Sequence, residues 1–292
     1  MTETITVSPE QARVLVAGLR PDLANLPMTP VVSSGTDNTL FRVGEDLCAR
    51  FPRVEWAANS APREYAVLQR ISIADSAMAV PEPLALGEPG HGYPWQWTLL
   101  GWLEGEEGTG CSLDAEDAER LARFLKVLRS LPAEPHFASG PKNHFRGVPL
   151  AERAEPTEAA LHALADTYDH ARLARLWRDC LAADDTHTPV WLHGDLHGGN
   201  VLLEDGQLSA VIDWGLAGVG DGACDLAAAW TLFESPARGA FRSALSPTQA
   251  EWMRGAGWAL STAAIFLAYY RDKGVETTGS RRTLARLLEA FA

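Results

Sequence analysis

The chain has 292 residues, of which 46% are hydrophobic and 22% charged, and its formal net charge is −13. This length allows two modest domains or one two-lobed unit, and the composition is typical of a globular protein. The acidic balance argues against nucleic-acid binding. The longest apolar run, over 257–270, is shorter than the ~18 to 20 residues that cross a bilayer, so no membrane association is expected.

The first six residues, Met-Thr-Glu-Thr-Ile-Thr, lack the basic-then-apolar pattern of a signal peptide. The four cysteines are far apart in the chain and form no C-x-x-C pair, which indicates reduced thiols. They are Cys48, Cys111, Cys180 and Cys224. We therefore expect a cytoplasmic protein.

The first hundred residues predict a small lobe built mainly of strands. A helix should begin after Ser8, with Pro9 at its first position and Gln11 completing a capping box. Alternating patterns and turn residues then predict five strands and one main helix, which together indicate a five-stranded antiparallel sheet. The strands are expected over 31–33, 40–43, 47–51, 80–87 and 93–100, and the helix over 54–71.

The rest of the chain is predicted to be mostly helical. Apolar residues at helical spacing over 121–128 follow a capping residue, Asp114, and a second apolar stripe covers 173–181. Residues 132–149 carry four prolines and two glycines, and we interpret them as an irregular linker. Two further helices are expected, over 248–271 and 280–291.

One segment between these helices has an unusual charge pattern. No Lys or Arg occurs in residues 186–230, whereas six carboxylates do. They are Asp195, Glu204, Asp205, Asp213, Asp221 and Asp225. Burying such groups together is costly unless a cation joins them.

The spacing of three residues in this segment indicates the chemistry. Asp195 and Asn200 are five apart, and Asp213 follows thirteen residues later across a predicted strand-turn-strand. Protein kinases place a catalytic Asp five residues before a metal-binding Asn, and a second metal-binding Asp before Phe-Gly. Here the corresponding strings are His-Gly-Asp, ending at Asp195, and Asp-Trp-Gly, starting at Asp213.

Three motifs occur in order: His-Gly-Asp-Leu-His-x-x-Asn at 193–200, Ile-Asp-Trp at 212–214, and Gly-Asp-x-x-x-Asp-Leu-Ala at 220–227. With them the chain resembles the aminoglycoside phosphotransferase family, which includes antibiotic kinases and choline-kinase-like enzymes. The resemblance implies an α+β, protein-kinase-like bilobal fold. It further implies a nucleotide-binding N-lobe over 1–101 and a larger, mostly α-helical C-lobe over 102–292 that carries the catalytic loop and the acceptor site.

The resemblance also implies the residues that bind ATP; GTP is not excluded. Ser33, at the end of the first strand, and Ser34, at the start of the turn that follows it, would contact the phosphates. Residues 1–105 contain no lysine, so the cation that a kinase carries on its third strand would be Arg50. Glu64, 14 residues later, would orient it.

Two assignments in the same lobe depend on how this sequence is aligned with the kinase motifs. The competing choices for the phosphate-binding cation are Arg53 and Arg63. The segment after the last strand resembles the kinase hinge, where the backbone of Gly101 and Leu103 would hydrogen-bond the adenine ring.

For the reaction, the resemblance implies that Asp195 accepts the proton of the attacking hydroxyl. Asn200 and Asp213 offer the hard oxygen ligands that Mg²⁺ prefers. Four further residues would shape the loops around them: His193, His197, Asp221 and Asp225. A substrate contact is the alternative role for Asp221.

Two other classes of protein compete with the kinase interpretation. His193 and His197 have the His-x-x-x-His spacing of zinc hydrolases, but the glutamate of H-E-x-x-H is missing and nearby glycines disfavour a helix. A kinase-like protein that binds without catalysis should lack Asp195, Asn200 or Asp213, and all three are present.

The resemblance implies that the acceptor is a hydroxyl group of a small molecule. An aminoglycoside is the family-level expectation, with a macrolide or an endogenous amino or sugar alcohol as alternatives. The carboxylate excess of residues 186–230 favours a cationic acceptor. Candidate contacts beyond the motifs are Asp221, Glu234, Asp272 and Glu289. Nothing in the sequence indicates the oligomeric state.

Overall fold

The amino-terminal part of the chain forms a five-stranded antiparallel sheet with the order β1-β2-β3-β5-β4 in the computed structural model, which describes residues 4–32, 37–71 and 78–292. The strands β1 to β5 are Met28–Val31, Asn38–Val43, Leu47–Pro52, Pro83–Gly87 and Trp97–Gly101. The helix α1 (Pro9–Leu19) precedes the sheet, and α2 (Glu55–Leu68) follows β3.

The alternation along β3 decides which residues of this lobe reach the cleft. Ala49 and Phe51 are buried in an apolar cluster with the inner face of α1. Phe51 stacks on Trp97 at 4.7 Å between ring centroids. Because side chains alternate between the two faces of a strand, Arg50 lies on the opposite face, toward the second lobe.

The second lobe is built around one large apolar core and consists mainly of helices. Its longer helices are α3 (Ala115–Ser130), α4 (Ala154–Ala163), α5 (His170–Leu181), α7 (Ser235–Leu245), α8 (Gln249–Tyr270) and α9 (Thr278–Ala290), with a single short turn, α6 (Ala228–Thr231), before α7. The helix α3 packs on α7, and α8 lies against α4, α5 and α9.

Two small β-structures hold the segment that carries the kinase-like motifs. One is a three-stranded sheet, in which β8 (Val201–Glu204) lies between β6 (Glu106–Glu107) and β9 (Gln207–Val211). The other pairs β7 (Val190–Leu192) with β10 (Gly218–Gly220). The predicted strand-turn-strand between Asn200 and Asp213 is therefore confirmed as β8 and β9.

The predicted sheet and most predicted helices are confirmed, with shifted ends. Ser8 caps α1 by accepting a hydrogen bond from the N–H of Gln11, and Asp114 begins α3 with a capping box. The first strand lies over Met28–Val31 instead of 31–33. The two predicted phosphate contacts Ser33 and Ser34 fall outside the described residues.

Two helices, α4 and α7, were not predicted. Alanine and charged residues dominate their sequences, and each has only a short buried stripe. Their formation therefore depends on packing against α8 and α3 rather than on a strong local pattern. Within residues 4–32, 37–71 and 78–292, no helix is long and apolar enough to cross a membrane.

A buried ion pair ties α8 to the loop after β10. Arg254 donates to both carboxylate oxygens of Asp221, at 2.7 and 3.1 Å. The exposed fractions of the two side chains are 3% and 1%. Removing one partner leaves a buried charge without compensation, which costs about 3–5 kcal/mol.

We therefore expect Arg254→Met to lower the free energy of unfolding in urea by about 3–5 kcal/mol. The double variant Asp221→Asn/Arg254→Met should lose less than the sum of the two single variants, because the single changes each leave an unpaired partner. A loss below about 1 kcal/mol in Arg254→Met would contradict a structural role for this pair.

Candidate active site

The loop between β7 and β8 contains Asp195, and a buried carboxylate holds its backbone. Asp225 accepts hydrogen bonds from the N–H groups of His193, at 2.8 Å, and Gly194, at 2.7 Å. Burial raises the pKa of Asp225, although these two N–H bonds favour its ionised form. The geometry is consistent with the loop-structuring role predicted for Asp225.

His193 connects this loop to the strand that precedes Asp213. Its ring is fully buried. Nε2 lies 2.9 Å from the carbonyl oxygen of Ile212, and Nδ1 accepts a hydrogen bond from the N–H of Asp195 at 3.2 Å. Both ring nitrogens are thus occupied, so His193 has no nitrogen left for a zinc ion. This geometry argues against the hydrolase interpretation.

Asp195 and Asn200 lie in contact, as their spacing predicts. The amide nitrogen of Asn200 donates to the backbone carbonyl of Asp195 at 2.9 Å and lies 3.3 Å from Oδ2 of its carboxylate. His197 Nε2 lies 3.5 Å from the same oxygen. Its Nδ1 accepts a hydrogen bond from Gly199 at 3.1 Å, which helps to close the loop.

Arg50 links the two lobes at the bottom of the cleft. Its guanidinium donates to Glu64 at 2.5 Å and to Asp213 at 2.9 Å. With its side-chain amide oriented so that the oxygen faces Arg50, Asn38 accepts two more hydrogen bonds from it. Glu64 also accepts the N–H of Trp214 at 3.0 Å. One arginine therefore joins the sheet, the helix α2 and the predicted metal-binding Asp213.

Of the competing cations, Arg63 is occupied elsewhere. Its Nη2 donates to the backbone carbonyls of Phe137, at 3.1 Å, and Ala217, at 3.0 Å, in the second lobe. Among the three arginines considered, Arg50 is the one whose contacts with Glu64 and Asp213 match the kinase arrangement.

The donor atoms near Asp213 fit a magnesium ion. Because the amide nitrogen of Asn200 is bonded to Asp195, its amide oxygen is the atom that remains for a cation. Asp213 adds a carboxylate, which its left-handed backbone (φ 62°, ψ 72°) turns toward Arg50. Within the described part of the chain, no cluster of three or more His, Cys, Asp or Glu could hold a metal. Such a sparse set suits Mg²⁺, which usually takes one or two protein ligands and keeps phosphate and water oxygens.

Arg146 also contacts Asp195, and the sequence analysis did not predict this contact. Its guanidinium donates to Oδ1 of Asp195 at 3.1 Å from the segment that we interpreted as a linker. Desolvation in the cleft disfavours the charged form of Asp195, but Arg146 and His197 outweigh it, so the pKa of Asp195 lies well below its usual range. No motif indicated this contact, because Arg146 is 49 residues from Asp195 in the chain.

A cleft of about 1300 Å³ separates the two lobes and contains these residues. Arg50, Asp195 and Asn200 line it, and so do the predicted hinge residues Gly101 and Leu103. The N–H of Gly101 already donates to the carbonyl of Glu82 at 2.9 Å. A contact from Gly101 to a nucleotide base would therefore use its carbonyl oxygen.

Asp221 lies apart from the cleft. Besides its ion pair with Arg254, it caps the turn after β10 by accepting the N–H of Ala223 at 3.0 Å. Its burial and its partners favour the loop-structuring role over the alternative substrate contact.

Comparison with known proteins gives the class and then the family. The solved structure of the GDP and kanamycin complex of APH(2")-IIia covers 94% of this chain and 96% of its own, with a TM-score of 0.69 and 16% identity. A macrolide 2'-phosphotransferase type I covers 99% of both chains, with a TM-score of 0.63 and 20% identity. The predicted protein-kinase-like bilobal fold is thereby confirmed.

The sequence profile of the phosphotransferase enzyme family matches residues 29–258. A viomycin phosphotransferase from Streptomyces vinaceus is 31% identical over 198 residues, which are 64% of this chain and 67% of that protein. The chain belongs to the phosphotransferase enzyme family. The prediction that it is a phosphotransferase with an alcohol group as acceptor is confirmed.

The fork of Arg50 generates a prediction about its replacement. Lysine keeps a charge that can meet a phosphate, but it cannot reach Glu64 and Asp213 together. We expect Arg50→Ala to weaken nucleotide binding about 10- to 100-fold, as for the loss of a charged hydrogen bond, and Arg50→Lys to weaken it less. Calorimetry with Mg·ATP measures both, and Arg70→Ala, an exposed arginine outside the cleft, is the control. Equal losses in the two Arg50 variants would contradict a phosphate contact.

Proposed function

We propose that this enzyme transfers the γ-phosphoryl group of ATP to a hydroxyl of a small-molecule acceptor that binds in the cleft beside Asp195. The observation that carries the proposal is the meeting of Asp195, Asn200 and Asp213 with Arg50 at one end of the cleft. Phosphoryl transfer needs an oriented hydroxyl and compensation of the phosphate charge, and these residues can supply both.

Asp195 would receive the hydroxyl as a hydrogen-bond donor and accept its proton as the new P–O bond forms and the bond to the β-phosphate breaks. Its low pKa makes it a weak base before the reaction. Its first contribution is therefore to aim the hydroxyl oxygen at the phosphorus, and proton transfer follows as the oxygen loses its basicity.

Arg50 would bind the α- and β-phosphates while Glu64 holds it in place. Asn200 and Asp213 would bind Mg²⁺, which neutralises phosphate charge when it is bound. The hinge carbonyl of Gly101 and the backbone of Leu103 would meet the base. Ser33 and Ser34 remain proposed phosphate contacts. The GDP in a structural neighbour supports testing GTP beside ATP.

The relatives support an antibiotic as the acceptor, and a direct screen tests this proposal. One relative is a viomycin phosphotransferase, and the structural neighbours include a kanamycin complex and a macrolide phosphotransferase. The screen measures ADP or GDP release with Mg²⁺ against viomycin, aminoglycosides, macrolides and amino alcohols. Phosphorylation of one antibiotic class supports a resistance function; turnover of amino alcohols alone would favour a metabolic one.

We expect Asp195→Asn to lower turnover at least ~100-fold, the minimum for loss of a general base, and to leave nucleotide affinity unchanged. The amide keeps the shape of the side chain but cannot take the proton. Turnover with the best acceptor and calorimetry with Mg·ATP test the two halves. A variant that keeps more than about a tenth of wild-type turnover would contradict the role of Asp195.

We further propose that the acceptor is cationic, and the structure limits which carboxylates could attract it. Asp195, Asp213 and Asp221 each have an arginine partner, and Glu234 pairs with Arg286. Away from the motifs, the acids Glu106 and Glu276 also line the cleft. Attraction of a cation would therefore come from these residues rather than from Asp221 or Glu234.

If the acceptor is cationic, its KM should rise with ionic strength at fixed Mg·ATP, because the Debye length falls from ~10 Å at 0.1 M toward ~3 Å at 1 M. The KM of the nucleotide in the same salts is the reference. A neutral acceptor, or an acceptor KM that is flat with salt, would refute the cationic proposal and leave the kinase assignment intact.

A further inference from the structure

The segment between α3 and α4 carries a basic side chain to the catalytic loop, although it holds none of the family motifs. From its contacts we infer that Arg146 is a positioning residue for phosphoryl transfer: it fixes the orientation of the Asp195 carboxylate. The inference rests on the proposed function, because it assigns Asp195 the role of receiving the acceptor hydroxyl.

The two carboxylate oxygens of Asp195 have different hydrogen-bond partners. Arg146 Nη2 donates to Oδ1 at 3.1 Å. On the other side, Oδ2 lies 3.3 Å from the amide nitrogen of Asn200 and 3.5 Å from His197 Nε2. A carboxylate held at one oxygen can still rotate about its Cβ–Cγ bond, whereas contacts at both oxygens fix its plane. Arg146 supplies the contact at Oδ1.

The segment around Arg146 is itself held in place. Asn143 is fully buried, and its amide nitrogen donates to the carbonyls of Arg146, at 2.9 Å, and Leu216, at 3.3 Å. The carbonyl of Gly147 accepts the N–H of Asp221 at 2.7 Å. These bonds anchor the segment on both sides of Arg146, so the guanidinium is presented from a fixed backbone.

The close approach of this segment requires glycine at two positions of the chain that faces it, one in the catalytic loop and one in β10. A Cβ atom on Gly194 would lie 3.0 Å from Cβ of Arg146, and Gly194 has a φ of +87°. A Cβ atom on Gly218 would lie 2.7 Å from the amide nitrogen of Asn143. The chain that faces the segment is therefore adapted to its close approach at two points, which an incidental surface ion pair does not require.

If the Arg146–Asp195 pair were only structural, its loss would change the rate of phosphoryl transfer little. The side chains of Arg146 and Asp195 are 16% and 28% exposed, so the pair is partly buried and a purely structural role would appear as a loss of stability. Orientation of a reacting group acts on the rate instead, since a misplacement of about 1 Å can cost ~10²-fold in rate. The two roles therefore predict different results.

The test compares Arg146→Ala and Arg146→Lys with Lys142→Ala, which removes an exposed basic side chain from the same segment. ADP release from Mg·ATP is measured with viomycin as acceptor, and with water as acceptor if viomycin is not turned over. We expect Arg146→Ala to lower kcat about 10- to 100-fold with less than a threefold change in nucleotide KM. Arg146→Lys should recover part of the loss, and Lys142→Ala should match the wild type.

A double-mutant cycle identifies the residue through which Arg146 acts. If it acts through Asp195, adding Arg146→Ala to Asp195→Asn should lower the residual single-turnover rate less than twofold. Independent, multiplying losses would overturn the inference, and so would a fall in kcat below threefold in Arg146→Ala. A wild type that releases no ADP in either arm would refute the proposed function and this inference together. An active wild type with an equally active Arg146→Ala variant would refute the inference alone.

Discussion

The site depends on how its carboxylates are compensated. Of four acids in the segment between β7 and α6, Asp221 and Asp225 are buried, where an unpaired carboxylate is costly, and Asp195 and Asp213 line the cleft. Three of them meet an arginine from another part of the chain: Asp195 with Arg146, Asp213 with Arg50, and Asp221 with Arg254. The fourth, Asp225, binds two backbone N–H groups.

This compensation also builds the geometry of the active site. Each arginine comes from a different element: Arg50 from β3, Arg146 from the segment after α3, and Arg254 from α8. The ion pairs therefore join β3 of the first lobe and two parts of the second lobe to the segment between β7 and α6. The pairs Arg50–Asp213 and Arg146–Asp195 line the cleft, where a nucleotide can bind. The Asp221–Arg254 pair is buried and only holds the turn after β10 in place.

Local spacing predicted the parts of the site that lie close together in the chain. Asp195 and Asn200 share one loop, and Arg50 could be inferred because the first 105 residues contain no lysine. Arg146 could not, since its contact depends on the path of a proline-rich segment and on glycines 48 and 72 positions away. The helices α4 and α7 were missed for a related reason: their stability comes from packing, which short alanine-rich patterns do not reveal.

Asn200 and Asp213 are proposed to bind a divalent ion beside phosphates that Arg50 holds. A crystal structure with Mn²⁺ and a non-hydrolysable ATP analogue tests it most directly, because the anomalous signal of Mn²⁺ locates the ion. We expect the ion at direct ligand distance, about 2 Å, from the side-chain oxygens of Asn200 and Asp213, with the guanidinium of Arg50 on a phosphate. An ion bound by His193 or His197, or a nucleotide that leaves Arg50 without a phosphate contact, would contradict the account.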